Sequence, residues 1–95
     1  MQFAQQDIRL FWEDPVAHPP RRVPPEVRKS LYRKLQMIDA AADINDLRVP
    51  PGNRLERLQG NMKGRYSIRV NDQWRVCFTW RNGEAIGVEF CDYHS

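Results

Sequence analysis

The chain has 95 residues, of which 41% are hydrophobic and 28% are charged. A chain of this length buries only ~60–65% of its unfolded surface, so we expect one small domain over residues 1–95. Its three Trp, three Tyr and four Phe residues exclude a disordered chain. No apolar run reaches the ~18 residues of a membrane span, and the N-terminus lacks the pattern of a secretory signal. We therefore expect a cytoplasmic protein without a membrane partner, in which two cysteines are too few for a disulfide scaffold.

Positive charge is concentrated in one part of the chain. Residues 1–47 carry seven basic and seven acidic side chains, whereas residues 48–95 carry eight basic against five acidic. Six of those eight lie between residues 54 and 75, where only Glu56 and Asp72 oppose them. Twelve of the fifteen basic residues are Arg, whose planar fork binds phosphate in a bidentate manner. The cluster suggests a polyanionic partner, with a solvated basic surface as the alternative.

Two helices are predicted in the first half of the chain. Residues 7–13 carry apolar side chains at helical spacing and end at Asp14-Pro15, after which residues 15–25 are rich in proline and predict an extended loop. The second helix is predicted from Pro24-Pro25 to about Ala42. Its apolar stripe consists of Val27, Leu31, Leu35 and Ile38. We expect the stripe to face the core, with binding of this basic helix to a membrane surface as the alternative.

Beyond the turn formed by residues 50–53, the hydrophobic period changes from helical to alternating. Leu55 and Leu58 bracket a predicted short strand. Three longer runs then alternate apolar and polar residues: GRYSIRV, WRVCFTWR and AIGVEFCDY. Runs of this kind joined by short turns predict an antiparallel meander with one buried face. With the two helices covering that face, the predicted fold class is α+β.

The turns between these strands decide which side chains share a face. Asn82-Gly83 favours a two-residue turn, but that register moves the apolar residues of the last strand away from the core. Exposure of Ile86, Val88 and Phe90 costs ~1.5–3 kcal/mol for each side chain. We therefore predict a bulge or an odd-numbered loop that keeps all three on the core face. The same reasoning predicts a three-residue loop at Asn71-Asp72-Gln73.

The face of the sheet away from the core is predicted to be exposed and to carry polar side chains. They are Arg65, Arg69, Arg75, Cys77, Glu89, Cys91 and Tyr93. The predicted register sets Arg69 opposite Arg75, and like charges in that position destabilise a sheet. The pair therefore calls for a bound anion, or for Glu89 as an internal partner.

Tyr93 and His94 follow the last strand beside these arginines. Arginine can stabilise the charge of a phosphorane, His or Tyr can transfer protons, and an aromatic ring can stack on a base. Arg75, Tyr93 and His94 are therefore the candidate catalytic residues for phosphodiester cleavage without a metal. Each has a simpler alternative, because Tyr93 can cap the sheet edge and a C-terminal His is commonly exposed to solvent.

Neither a metal nor an organic cofactor is expected. Cys77, Cys91 and His94 supply at most three ligands, and no second close-spaced pair completes a zinc set. We interpret the two cysteines as small strand residues. The sequence also lacks a Gly-rich phosphate loop, a Ser nucleophile motif and a dinucleotide fingerprint.

Two stretches of the chain carry a family resemblance. One is LQGNMKGRYSIRVNDQWRVCFTW, which is followed by an acidic strand that ends in DYH. The other is LYRKLQMIDAAADINDLRVPPGNRLERL, which contains the second helix and the Pro-Pro-Gly loop. Together they resemble the HigB-type toxins of the RelE/ParE superfamily, also called plasmid maintenance killer proteins. The resemblance covers most of the chain and is weakest over residues 1–22.

The resemblance implies a compact α+β toxin that cleaves mRNA in the ribosomal A site. The implied route is attack by the RNA 2′-hydroxyl on its neighbouring phosphate, without a metal. The implied partners are the ribosome, mRNA and a HigA-type helix-turn-helix antitoxin, with operator DNA bound only through the antitoxin. By position, the resemblance assigns Arg75 and the Tyr93-His94 pair to the site, and these are the residues selected above from the sheet.

The candidate RNA-binding residues include one departure from the family pattern. Many relatives have L-K-G where this chain has Leu58-Gln59-Gly60, and that lysine is implicated in catalysis or phosphate contact. Gln59 cannot carry a positive charge, and Lys63 is the candidate to compensate from the loop. The candidate RNA-binding set is accordingly Lys63, Arg65, Arg69 and Gln59.

Two other functions are compatible with this scaffold. A ParE-like toxin acts on DNA gyrase by protein contact, and a plain RNA-binding module has no chemistry. Arg75, Tyr93 and His94 favour the nuclease, whereas Gln59 favours the alternatives.

Overall fold

The computed structural model describes residues 1–59 and 64–93, which form an antiparallel sheet with two helices on one face. The helices are α1 (Gln6–Glu13) and α2 (Arg28–Ala40); the strands are β1 (Glu56–Arg57), β2 (Arg65–Arg69), β3 (Trp74–Arg81) and β4 (Glu84–Asp92). The strands lie in the order β1-β2-β3-β4, and each neighbouring pair is antiparallel. This is the predicted α+β meander. Neither helix is long and apolar enough, within the two described ranges, to cross a membrane.

Both helices form where the apolar spacing predicted them. α1 ends immediately before Asp14, and α2 is preceded by a 3-10 turn at Pro25–Val27 and ends at Ala40, close to the predicted boundary. The side chains that the helices and the sheet bury together are Ile8, Phe11, Val27, Leu31, Leu35, Ile38, Ile68, Val76, Phe78, Val88 and Phe90. The apolar stripe of α2 therefore faces the core, as predicted.

Two further 3-10 turns connect α2 to the sheet. The first spans Ile44–Arg48, and the carboxylate of Asp43 caps it by accepting a hydrogen bond from the Asn45 N–H at 2.8 Å. The second spans Pro51–Asn53 and coincides with the predicted break in the chain. Arg54 follows it with a φ of 45°, in the left-handed region that residues with a Cβ rarely adopt.

The hairpin between β2 and β3 has the predicted three-residue loop. Arg69 pairs with Arg75, and the Val70 N–H donates to the Trp74 carbonyl at 2.9 Å. The Asn71 side chain closes the loop, because its Oδ1 accepts from the N–H groups of Gln73 and Trp74 at 2.9 and 2.8 Å.

The hairpin between β3 and β4 contains both a tight turn and a bulge. Asn82 and Gly83 form the two-residue turn with φ values of 53° and 78°. Further along, two residues of β4, Gly87 and Val88, lie opposite a single residue of β3, Phe78. Gly87 has a φ of 61°, which glycine adopts readily. The predicted bulge is therefore confirmed.

The bulge restores only part of the predicted core face of β4. Val88 and Phe90 are buried in the core beyond the bulge. Ile86 pairs with Thr79 and lies on the polar face, and Ala85 takes the core position opposite Trp80. The prediction for Ile86 was wrong because the extra residue is inserted after this position rather than at the turn.

The N-terminal residues lie along the outer edge of β4. The Gln2 N–H donates to the Ala85 carbonyl at 3.0 Å, and the Ala4 N–H donates to the Val88 carbonyl at 2.9 Å. Phe3 forms a parallel bridge with Val88. These contacts satisfy backbone groups at a strand edge that would otherwise be open to pairing with another chain.

Candidate active site

The polar face of the sheet consists of Arg65, Ser67, Arg69, Arg75, Cys77, Thr79, Glu89, Cys91 and Tyr93. The register places these positions on one side of β2, β3 and β4, as predicted. Their expected exposure was wrong at the centre of the face. Ser67 is 1% exposed, Arg75 5% and Cys77 9%. The cause is nonlocal, because the segment that includes Arg54 and β1 packs against the arginine.

Arg75 is the cation of this face with the most hydrogen bonds to neutral groups. Its Nε donates to the Ser67 hydroxyl at 2.8 Å, and its Nη2 donates to the Arg54 carbonyl at 2.6 Å and the Ser67 carbonyl at 3.3 Å. Its guanidinium carbon lies 5.2 Å from the centre of the Tyr93 ring, in cation–π geometry. Nη1 lies 3.9 Å from Glu56 Oε1, which is within ion-pair range but beyond hydrogen-bond distance. The bonds at Nε and Nη2 fix the fork and leave Nη1 directed at the adjacent cleft.

The cleft next to Arg75 has a volume of about 200 Å³. The residues that line it are Arg54, Glu56, Arg69, Asn71, Asp72, Arg75 and Tyr93. Three arginines therefore meet two carboxylates, and each carboxylate forms an ion pair, Asp72 with Arg69 and Glu56 with Arg75 at 3.9 Å, which leaves one arginine in excess. The remaining excess of positive charge suits a phosphate group.

Arg69 and Arg65 have different partners from those considered in the sequence. Arg69 lies opposite Arg75, as predicted, and its partner is Asp72 in the hairpin loop. Glu89 pairs with Arg65 instead, at 2.9 Å. Arg65 also donates to the Thr79 hydroxyl at 3.3 Å and to the Gly87 carbonyl at 3.1 Å. The guanidinium of Arg65 is thus held within the sheet, at the end of the polar face away from the cleft.

The other predicted site residues are distributed as follows. Tyr93 is half exposed at the end of β4, where its N–H donates to the Gln73 carbonyl at 2.7 Å. Gln59 is exposed and follows β1, outside the described lining of the cleft. Lys63 and His94 lie outside the described residues. The structure brings Arg69, Arg75 and Tyr93 together.

Sequence reasoning missed Arg54, Glu56, Asn71 and Asp72 as cleft residues. β1 places Glu56 opposite Ser67, which holds Arg75, so the carboxylate reaches the cleft through strand pairing. Arg54 arrives through the left-handed turn after Pro51–Asn53. The Pro-Pro-Gly-Asn run signals a turn, but it does not tell which strand the turn approaches.

The two cysteines lie beside Arg75 on the polar face. Cys91 pairs across the strands with Arg75, and Cys77 with Glu89. The Cys91 thiol donates to Glu89 Oε1 at 3.5 Å. Interaction with the Cys91 side chain lowers the pKa of Cys77, and the same interaction together with burial raises the pKa of Cys91. Within residues 1–59 and 64–93, no group of three or more His, Cys, Asp or Glu side chains is arranged to hold a metal ion.

A larger groove of about 580 Å³ lies between α1 and the proline-rich loop. Leu10, Ala17 and Pro20 contribute apolar surface to it. At its rim, Arg22 donates to the Asp7 carboxylate at 2.6 Å, and Arg21 also lines the groove. The smaller cleft, where Arg69, Arg75 and Tyr93 meet, is the better candidate for an active site.

Comparison with known proteins identifies the family of the chain. A family described as the HigB-like toxins, RelE-like toxins of type II toxin–antitoxin systems, matches residues 1–94. The chain is 44% identical over 94 residues to Toxin HigB-1 of Vibrio cholerae serotype O1, covering 99% of this chain and 96% of the relative. It is 32% identical over 92 residues to Endoribonuclease HigB of Proteus vulgaris, covering 97% and 96%. The chain therefore belongs to the HigB-like toxins of type II toxin–antitoxin systems.

Proposed function

We propose that this toxin is an endoribonuclease that cleaves mRNA on the ribosome and is neutralised by a HigA-type antitoxin. The observation that carries the proposal is Arg75, whose fork is fixed by Ser67 and Arg54 while Nη1 faces the cleft. The endoribonuclease name of the Proteus vulgaris relative supports the reaction class. A donor that is already fixed stabilises the developing charge without the cost of reorienting during the reaction.

The reaction is a transesterification within the RNA strand. The 2′-oxygen forms a bond to the adjacent phosphorus, the bond from phosphorus to the 5′-oxygen breaks, and the products are a 2′,3′-cyclic phosphate and a 5′-hydroxyl. Arg75 binds the scissile phosphate and the negative charge that builds on it, and Arg69 holds the strand across the cleft. Tyr93 stacks on the flanking base or donates the proton that the 5′-oxygen needs.

Two residues are candidates to accept the proton of the 2′-hydroxyl. His94 was selected from the sequence, and Glu56 is the cleft carboxylate nearest to Arg75, at 3.9 Å. A base must be within hydrogen-bond reach of its proton in the bound complex, and Glu56 lines the cleft in which we propose that the nucleotide binds. Separate Glu56→Gln and His94→Ala variants distinguish the two, because only loss of the base reduces the cleavage rate while ribosome binding persists.

The size of the cleft supports dependence on the ribosome. About 200 Å³ is below the ~300–1,000 Å³ of sites that enclose a small-molecule ligand. The cleft therefore binds little more than the scissile phosphate, and the ribosome holds the rest of the mRNA in the orientation that cleavage requires. Alignment of this kind converts a slow encounter into a fast intramolecular step.

Mapping of mRNA ends after brief induction tests the proposal. Growth arrest is expected with new 5′-hydroxyl ends inside translated messages, and purified toxin is expected to cut mRNA on programmed ribosomes but not the same naked RNA. Co-expression with a HigA-type antitoxin is expected to abolish the arrest and raise the soluble yield. Intact mRNA together with gyrase-linked DNA breaks would instead identify a ParE-like poison.

A further inference from the structure

Asn53 is a buried amide between α2 and the cleft, with both polar atoms of its side chain engaged. It is 0% exposed, its Nδ2 donates to the Leu47 and Val49 carbonyls at 3.2 and 3.4 Å, and its Oδ1 accepts from Lys34 Nζ at 2.6 Å. The two carbonyl bonds close the segment that connects α2 to β1. The lysine bond anchors that segment to α2.

The residue after Asn53 is the one that holds Arg75. Arg54 has a left-handed φ of 45°, its N–H donates to the Pro51 carbonyl at 3.1 Å, and its own carbonyl accepts from Arg75 Nη2 at 2.6 Å. A left-handed conformation persists in a residue with a Cβ only where the surroundings hold it. Asn53 is adjacent to Arg54, and its side-chain hydrogen bonds to Leu47, Val49 and Lys34 can hold Arg54 in this conformation.

We propose that Lys34 and Asn53 are positioning residues, which hold the Arg54 carbonyl in place and through it aim the Arg75 guanidinium at the scissile phosphate. The relay runs from α2 through a buried amide and one peptide group to the arginine. The effect on activity rests on the proposed function, whereas the effect on the order of Arg75 does not.

The surroundings of Lys34 indicate a role in holding Asn53. Its described hydrogen-bond partner is the neutral amide of Asn53, and no described carboxylate lies within ion-pair distance. Partial burial lowers the pKa of Lys34, and the positive charges of Arg33 and Arg69 lower it further. The hydrogen bond to Asn53 is therefore the described contact that fixes the Lys34 ammonium group.

Lys29 provides a matched control on the same helix. It is exposed, so Lys29→Met and Lys34→Met each remove one positive charge from α2, but only Lys34→Met removes the bond to Asn53. A change caused by net charge appears in both variants. A change caused by the relay appears in Lys34→Met alone.

The structural test uses the NMR cross-peak of the Arg75 Nε–H group in ¹⁵N-labelled toxin, assigned by its loss in Arg75→Lys. This N–H donates to Ser67 in the ordered site, so it should exchange slowly with water. Lys34→Met is expected to broaden or shift this peak and accelerate its exchange, whereas Lys29→Met leaves it unchanged. An unchanged Arg75 peak in folded Lys34→Met overturns the relay, whatever reaction the protein catalyses.

The activity test uses single-turnover cleavage of mRNA on programmed ribosomes. Lys34→Met is expected to lower the cleavage rate at saturating ribosome concentration by about 10- to 100-fold, the loss expected when a catalytic group is displaced by up to roughly 1 Å. The ribosome concentration that gives half the maximal rate should change little. Lys34→Arg, which can still donate to Asn53, should recover most of the rate. Equal losses in Lys29→Met and Lys34→Met, or no recovery with arginine, contradict the positioning role. A folded Asn53→Ala variant should show the same loss of rate as Lys34→Met. If Asn53→Ala does not fold, the comparison of Lys34→Met with Lys29→Met still tests the positioning role.

Discussion

The two ends of the polar face carry arginines on neighbouring strands with opposite environments. At one end, Arg65 is 16% exposed and is held by Glu89, Thr79 and the Gly87 carbonyl. At the other end, Arg75 is held by a hydroxyl and by backbone carbonyls, with Glu56 in a longer ion pair at 3.9 Å and Arg69 as its cross-strand neighbour. An arginine balanced by a carboxylate is a part of the fold. An arginine whose hydrogen bonds all go to neutral acceptors, and whose carboxylate partner is 3.9 Å away, is less fully balanced and can bind an anionic ligand.

Arg75→Ala tests the functional end and has the largest expected effect. Loss of one fixed donor costs about 2.7–4 kcal/mol of transition-state stabilisation, or about 10²–10³ in rate. Cleavage of mRNA on ribosomes and toxicity are expected to fall accordingly, while antitoxin binding persists. Tyr93→Ala and His94→Ala should lose less.

Because Arg75 is buried, its replacement needs a control for folding. Circular dichroism and antitoxin binding report the fold, and Arg75→Lys keeps the charge while removing the fork. Cleavage at the parental rate by a folded Arg75→Ala protein would show that the functional end has been assigned to the wrong residue.

Arg65→Ala tests the structural end. The substitution leaves Glu89 without its ion-pair partner, so the free energy of unfolding is expected to fall by about 1–3 kcal/mol. Urea denaturation monitored by tryptophan fluorescence measures the loss. The salt dependence of ribosome binding should be the same as in the parental protein. A flatter slope of log affinity against log salt would instead show that Arg65 contacts RNA.

Gly87→Ala also acts on the structural end, through the bulge. The position has a φ of 61°, and an added Cβ would lie 3.2 Å from Arg65 Nη1. The left-handed conformation costs a residue with a Cβ about 1–2 kcal/mol, so denaturation should show a loss of that size. Gly52→Ala is the control, because nothing lies within 4 Å of its Cβ position. Equal stability of the two variants would mean that the bulge does not constrain this glycine.

Arg69→Ala has the smallest expected effect and sharpens the border between the two ends. If Arg69 contacts RNA, the slope of log affinity against log salt should flatten by ~0.7, the value for one contact to a single strand. Asp72→Asn is the companion variant, because it frees Arg69 from its ion pair and should strengthen binding. An unchanged slope in Arg69→Ala would make the Asp72 pair a purely structural contact.

Local patterns predicted most of the elements and part of the site. The apolar stripe of α2 predicted that helix and its core side. The alternation of apolar and polar residues predicted β2 and β3 and the face of the sheet on which each side chain lies. Because Trp74 and Val76 belong to the core side, Arg75 must lie on the other face, and the three-residue loop then sets Arg69 opposite it. The same alternation could not locate the bulge within β4. Ile86 and Val88 both fit a regular alternation of apolar and polar residues, so the pattern does not show that an extra residue lies between them.

The amino-acid sequence by itself determined which side chains share the polar face, because strand periodicity is a local property of the chain. Only the tertiary structure decided which of those side chains are buried and what holds them. Arg75 is covered by Arg54 and β1, which are distant from it along the chain, and Arg65 meets Glu89 through a register that depends on the bulge. Contacts between distant segments depend on how turns bring elements together, and no spacing within one element records them.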